Sequence, residues 1–467
     1  MRTNISYDTQ DLWTKDKDHV MHAWTDLQRV REKGSLVITE SEGIYVYDSD
    51  GNKMIDGPAG MWCVNVGYGR QEIADAIADQ AMRMTYFSPF HQMTSPPTAE
   101  LGAKLAELAP GDLNEVFFST GGSEAVDSAI RFVWFYHRFR GKETKRHIIS
   151  RVEAYHGSTH LTASVCGKMH DRSPYSEYIT DYIHHLPTPY PYRRPEGMSI
   201  EDFCDQCVAD LENKILEVGP DNVALFIAEP ILASGGVIVP PPGYHKKTLE
   251  VCRKYDVIYI SDEVVTGFGR LGHWFASEPE FDIVPDIITS AKGLTSGYLP
   301  LGATIISERL FAEVSGPDAV GSFFANGYTY SGHPVCCAAA LKNIEIIERE
   351  NLLEHVREVG PYFMEQLETL YDIPVVGEVR GSHLMACIEC VANQETKERL
   401  SEGANIGPRI DKHCQDRGLI VRPFEHFCVL SPPLVITKEE IDTVVRTMRE
   451  GIEAAVADLR AEGLYDG

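Results

Sequence analysis

Between residues 115 and 310 short apolar runs, "EVFFS", "HIIS", "VALFIAEP", "DVIYISDE", "PDIITSA" and "ATIIS", alternate with amphipathic stretches such as "SEAVDSAIRFVWFYHRF" and "GYHKKTLEVCRKY". Runs that are apolar at consecutive positions belong to strands buried on both faces. Separated by helices, they predict an α/β fold built on a mostly parallel sheet with helices on either side. Ligands of such sheets bind outside the carboxyl ends of the strands. Three charged side chains stand there: Glu229 closes "VALFIAE", Asp262 closes "DVIYISD", and Lys292 follows "DIITSA". Each is costly to bury without a partner. For Lys292 two readings stand on the residues alone. Its stem lies along apolar surface while the amine reaches water, or the amine is used covalently as a Schiff base.

The flanking segments have a different pattern. "GIYVYDSDGNKMIDG" alternates around a turn-forming Ser49-Asp50-Gly51-Asn52 and reads as a hairpin, and "RQEIADAIADQAMRM" and "TAELGAKLAELAPG" read as helices. After residue 335 helices dominate, followed by strand-like "LMACIEC" and "LIVRPFEHFCVLSPPLVIT" and a closing helix. A chain of 467 residues exceeds a single small core. The expected division is a large domain over 66–330 and a smaller α+β domain assembled from 1–65 and 331–467. "LPTPYPYRRPEGMS" is expected to be an irregular surface excursion.

Lys and Arg total 43 against 69 Asp and Glu, a net charge of −26, so neither a nucleic acid nor an anionic membrane is an expected partner. The opening residues lack a signal-peptide core and no apolar run approaches membrane-spanning length, which gives a cytoplasmic expectation. The pairs Cys204/Cys207 and Cys387/Cys390 have zinc-like spacing. The first falls on a helix and the second on a strand that turns them to opposite faces, so both read as core and no metal is expected. Asn4-Ile5-Ser6 matches a glycosylation acceptor, which carries no weight without a secretory route.

"FFSTGGSEAVDSAI" places Thr120, Gly121, Gly122 and Ser123 between a strand and a helix, a turn whose free amides suit a phosphate. With a lysine for an aldehyde and an aspartate for a ring nitrogen on the same rim, pyridoxal phosphate is the cofactor these groups match. "GFGRLG" at 267–272 fits G-x-G-x-x-G, but no helix pattern follows it, which argues against a nicotinamide or flavin site.

Together "GPAGMWCVNVGYG", "GGSEA", "AYHGST", "FIAEPI", "DEVVTGFGRLG", "AKGLTSGYLPLGA" and "GYTYSGHP" resemble, over nearly the whole chain, the class III (subgroup II) pyridoxal-phosphate aminotransferases. The similarity is greatest to the omega-amino acid:pyruvate and amine:pyruvate branch. The resemblance implies fold type I, with Lys292 carrying the cofactor and shuttling a proton, Asp262 at the ring nitrogen, and Glu229 beside the ring. It implies Tyr155 and Val264 on the two ring faces, His156 and Gly157 beside them, and the Thr120–Ser123 turn at the phosphate. Thr329 would reach the phosphate of a neighbouring subunit, making a homodimer with shared sites, or a tetramer built from such dimers. Trp62, Phe90, His91 and Tyr155 would line the substrate pocket, and Arg422 would clamp the carboxylate of the keto acid. Val265 stands where several ornithine- or 4-aminobutyrate-specific relatives carry Gln, which argues against those donors. The implied activity is ping-pong transfer from a primary amine or omega-amino acid, such as beta-alanine, taurine or a polyamine, to pyruvate. An aminomutase of the same fold and a cofactor-binding protein without turnover are the alternatives.

Overall fold

The computed structural model describes residues 6–401 and 403–466, so Asn4 and Ile5 of the acceptor motif lie outside the described residues. The N-terminal part contributes β1 (Ile38–Glu42), β2 (Tyr45–Asp48) and β3 (Lys53–Asp56). The middle contributes β4 (Leu113–Ser119), β5 (His147–Arg151), β6 (Ile183–Leu186), β7 (Val223–Ala228), β8 (Ile258–Asp262), β9 (Ile287–Ser290) and β10 (Gly302–Ser307). The C-terminal part adds β11 (Val376–Ser382), β12 (Met385–Cys390), β13 (Leu419–Ile420), β14 (Arg422–Pro423) and β15 (Phe427–Leu430).

The middle strands form one seven-stranded sheet in the order β4-β10-β9-β8-β7-β5-β6. β10 runs antiparallel to both neighbours, and the pairs β9-β8, β8-β7, β7-β5 and β5-β6 are parallel. Every residue of β7, β8, β9 and β10 is buried, as continuous apolar runs require. Alternate residues serve opposite faces. Ile287 and Ile306 pack with Val126, Ile130 and Val133 of the helix Gly122–Phe139, whereas Ile288 and Ile305 pack with Leu101, Leu105 and Ala340 on the other side.

Two smaller sheets flank it. β13 pairs in parallel with β3 through Leu419↔Ile55 and Ile420↔Asp56, so C-terminal residues complete the N-terminal sheet β1-β2-β3-β13. The other, β11-β12-β15-β14, sets Arg422 opposite Val429. The closing helix Lys438–Ala461 begins with a reciprocal capping box between Thr437 and Glu440.

The excursion at 186–199 is tied down. Tyr190 Oη donates to Glu378 at 2.8 Å and also to Glu389, whose other oxygen receives Arg193, and the buried Arg380 guanidinium binds both carboxylates at 2.7 Å. Cys204, Cys207, Cys387 and Cys390 are free thiols inside the core. "GFGRLG" forms turns, with Phe268 at φ 56°, and leads into the five-residue helix Ser277–Phe281, too short for a dinucleotide fingerprint. Among the described residues no helix is long and apolar enough to cross a membrane.

Candidate active site

The carboxyl ends of β7, β8 and β9 open onto one cavity of about 560 Å³, lined by Glu229, Asp262 and Lys292 together. Glu229 is the first residue beyond β7, Asp262 the last of β8, and Lys292 stands two residues past β9.

Lys292 adopts left-handed φ of 45° at the start of a single 3-10 turn, a conformation non-glycine residues seldom hold. Its Nζ has no hydrogen-bond partner among the described residues and lies 5.5 Å from the centroid of the Trp62 ring. Burial pushes this ammonium below the ordinary lysine range, although the side chain lines the cavity, while the charges of Asp262, Cys63 and Glu229 push the other way. A lowered pKa leaves more of the amine unprotonated at neutral pH, which is what a nucleophile or proton carrier needs.

Asp262 is 4% exposed, and its Oδ2 lies 2.7 Å from His156 Nδ1. Its Oδ1 accepts at 3.2 Å from both the Val264 amide and the Thr289 hydroxyl. The carboxylate fixes the His156 proton on Nδ1, and the opposite nitrogen, Nε2, is buried with no partner among the described residues.

Glu229 uses both oxygens on main chain. Oε1 accepts from the Tyr155 amide at 3.0 Å and Oε2 from the Ala233 amide at 2.9 Å. Burial raises its pKa, and the nearby His156 opposes the rise. The side chain thereby fastens two cavity walls, one carrying Tyr155 and the other Ile231 and Ala233.

The helix Gly122–Phe139 starts at the cavity without a side-chain cap, so the amides of its first turn have neither an intrahelical partner nor a capping group. Bare backbone is required there: a Cβ on Gly122 would approach Val264 Cγ1 to 3.0 Å, and one on Gly157, at φ 134°, would approach Ser123 Cα to 2.7 Å. Ser123 Oγ accepts from the Ser158 amide at 3.0 Å, and the Tyr155 and Ser158 hydroxyls lie 2.9 Å apart.

Trp62, Gly122, Ser123, Tyr155, His156, Gly157, Glu229, Asp262, Val264, Lys292 and Arg422 all line the cavity, whereas Thr120 and Gly121, also expected at the phosphate, do not. The Arg422 guanidinium has no hydrogen bond or salt bridge among the described residues and sits 5.7 Å from the Phe424 ring. Phe90, His91 and Thr329 do not line the cavity of this single chain. Phe90 is 40% exposed, and the Thr329 carbonyl accepts from Tyr86 Oη at 2.7 Å on the outer surface.

Sequence reasoning missed Trp24, Lys168, Asp171 and Phe424. Trp24 meets Tyr155 edge-on at 5.9 Å, and Lys168 Nζ lies 2.6 Å from Asp171 Oδ2 and 5.0 Å from the Phe424 centroid. Only Phe424 carried a signal, since it stands two residues beyond Arg422 and strand alternation puts the pair on one face.

This set of groups suits pyridoxal phosphate: an unpartnered amine for an aldehyde, a held carboxylate for a ring nitrogen, and an uncapped helix end with bare glycines for a phosphate. Comparison with known proteins agrees. The family model described as aminotransferase class-III matches residues 28–452. The putrescine–pyruvate aminotransferase of Pseudomonas aeruginosa is 40% identical over 456 residues, covering 97% of this chain and 98% of that one. The (S)-enantioselective omega-transaminase of Thermomicrobium roseum superposes with a TM-score of 0.92 at 38% identity, over 97% of this chain and 100% of that one. An omega-transaminase from Pseudomonas jessenii, solved in complex with PMP, gives 0.93 at 36% identity, over 96% and 99%. The chain belongs to the class-III aminotransferases, pyridoxal-phosphate-dependent transaminases of fold type I, in the omega-amino acid and amine:pyruvate branch.

Proposed function

We propose that this transaminase takes an amino group from a primary amine or omega-amino acid, of the beta-alanine, taurine or polyamine kind, and delivers it to pyruvate in two half-reactions that share one cavity. The observation that carries the reading is the pair of cations lining that cavity that have no hydrogen bond or salt bridge among the described residues, Lys292 for amine chemistry and Arg422 for a carboxylate. The similarity to a putrescine–pyruvate aminotransferase supports both the donor class and the acceptor.

Lys292 Nζ would hold the cofactor and, once the donor amine has displaced it, would carry a proton between the amine-bearing substrate carbon and the cofactor carbon it had held, a task its burial-lowered pKa favours. When bound, pyridoxal phosphate supplies an electron sink for the negative charge left at carbon. Asp262 would keep a proton on the cofactor's ring nitrogen, and His156 Nδ1–H orients that carboxylate. Tyr155 and Val264 would flank the ring, and the amides of Gly122 and Ser123, with Thr120, Gly121 and Gly157 beside them in the fold, would receive the phosphate. Glu229 acts through the two amides it holds. Arg422 binds the keto-acid carboxylate, for which a guanidinium fork is suited, and Trp62 packs over the substrate.

Phe90, His91 and Thr329 complete the site of a second copy, in a homodimer or in a tetramer of two dimers. The exposed Tyr86, Phe87, Phe90, Phe323 and Tyr330 support this, since a monomer seldom leaves such a set uncovered. We divide the chain into 66–330 and a smaller domain from 1–65 with 331–467, which the β3-β13 pairing supports. The protein works in the cytoplasm, a placement favoured by its free thiols.

The test is absorbance of the protein reconstituted with pyridoxal phosphate, adding amines one at a time without pyruvate. A donor is expected to replace the cofactor band and pyruvate to restore it. Lys292→Ala is expected to lose the original band and at least about 10⁴-fold of turnover. Normal turnover in Lys292→Ala would overturn the assignment of that lysine, and a donor-shifted band that pyruvate leaves unchanged would remove pyruvate as acceptor.

A further inference from the structure

The charged groups lining the cavity are Lys168, Asp171, Glu229, Asp262, Lys292 and Arg422. Asp262 and Glu229 are 4% and 5% exposed and have both oxygens engaged. Asp171 differs from both. Its side chain is 26% exposed and its Oδ2 is held by Lys168 Nζ at 2.6 Å. Its Oδ1 has no hydrogen bond among the described residues, only His170 Nε2 at 3.6 Å. Lys168 is 7% exposed and braced over the Phe424 ring at 5.0 Å, so it holds one Asp171 oxygen and leaves the other without a hydrogen bond.

We infer that Asp171 receives the distal ammonium of a donor carrying two amino groups, so that short aliphatic diamines are the preferred donors. The inference rests on the transaminase reading of the same cavity. One amine must reach Lys292 at the strand ends, and the second then needs an acceptor away from them. Of the three carboxylates that line the cavity, Asp171 is the one with an oxygen to spare. An ammonium there gains a charge-assisted hydrogen bond, which is stronger than a neutral one. The Lys168–Asp171 pair is formally neutral, which limits unspecific attraction of cations.

Phe424 separates two roles on that wall. Arg422 lies 5.7 Å from its ring and Lys168 5.0 Å, so the wall presents a carboxylate to a diamine donor and a guanidinium to a keto acid. Sites that hydrogen-bond a substrate group discriminate against analogues lacking it. With Asp171 partly open to solvent and already paired to Lys168, the expected preference is about tenfold, well below the roughly 10⁴–10⁵ of a fully buried polar site.

The experiment measures kcat/KM of the holoenzyme for butane-1,4-diamine and butan-1-amine with pyruvate, in the wild type, Asp171→Asn and Asp171→Glu. The wild type is expected to favour the diamine at least about tenfold, and Asp171→Asn to bring the ratio near unity through the KM of the diamine. Asp171→Glu, which keeps the charge, is expected to retain part of the preference. A wild type without preference, or an Asp171→Asn variant that scales both amines equally, overturns the inference. L-Alanine alone serves as a third donor, read by the cofactor band. If alanine converts the band and the diamine does not, the diamine assignment fails and transamination stands. If neither does, the transaminase reading of the cavity fails with it.

Discussion

Glu229 allows a calculation from hydrogen bonds alone. Its two oxygens accept the amides of Tyr155 and Ala233 at 3.0 and 2.9 Å, in a setting where the side chain is 5% exposed. Glu229→Ala leaves two buried N–H groups without an acceptor, at about 1–3 kcal/mol each, or roughly 2–6 kcal/mol together. Glu229→Gln keeps the shape but offers only one carbonyl oxygen, and its NH₂ must face the other amide. One bond is lost, for about 1–3 kcal/mol. The backbone at 229 stays anchored in both variants, because Arg151 Nη2 donates to the Glu229 carbonyl at 2.6 Å. Urea denaturation of the cofactor-free protein at one fixed concentration, followed by tryptophan fluorescence, measures the difference as a shift in midpoint. The expected order is wild type, then Gln, then Ala. Equal losses in the two variants, or losses below about 0.5 kcal/mol in both, would refute the clasp as described.

Burial lifts the Asp411 carboxyl to about 6, even with Arg422 pulling the other way, so the fold favours its protonated form. The resulting cost is absent below about pH 4 and complete above about pH 6, so Asp411→Asn is expected to gain about 2–3 kcal/mol at pH 7.5 and nothing at pH 4, read from urea midpoints. His137 and His245 run the opposite way, lowered by burial to about 4 and about 3, so the unfolded chain takes up protons first as pH falls below about 6.5. Between pH 6.5 and 5 each is expected to cost about 2 kcal/mol, and His245→Gln should remove about half of the combined loss. The comparison is made in the Asp411→Asn background, whose titration would otherwise offset it.

The large sheet was legible because its central strands are buried on both faces, and such strands appear in the sequence as unbroken apolar runs. Three strands escaped. β1 is "ITESE" with no buried residue, β6 carries His184 and His185 in its middle and β11 is "VGEVRGS", and the latter two are only partly buried, so none shows the expected signal. The charges at the ends of β7, β8 and β9 were legible for the same reason as the strands, since a charged residue stands out against an apolar run. Lys168, Asp171 and Trp24 were not, because each comes from a stretch without regular periodicity and only the tertiary path brings it to the cavity. The use made of Glu229 was hidden too: its partners are main-chain amides, which every non-proline residue carries and no sequence distinguishes.

The joining of β3 to β13 sets a timetable for biosynthesis. Ser431 Oγ donates to the Pro58 carbonyl across 373 residues of chain, and Ile44 and Ile55 share one core with Leu419 and Val421. At about 5–20 residues per second, an N-terminal segment leaving the ribosome waits tens of seconds for the strand that covers it. During that interval its apolar face has no native partner. The same late segment brings Arg422 and Phe424, so a chain released early lacks a wall of the cavity as well as an edge of the sheet. On the proposed role of Arg422, keto-acid binding would become available only once the chain has been made past Phe424, and a product terminated before that point is a candidate for proteolysis rather than a partly working enzyme.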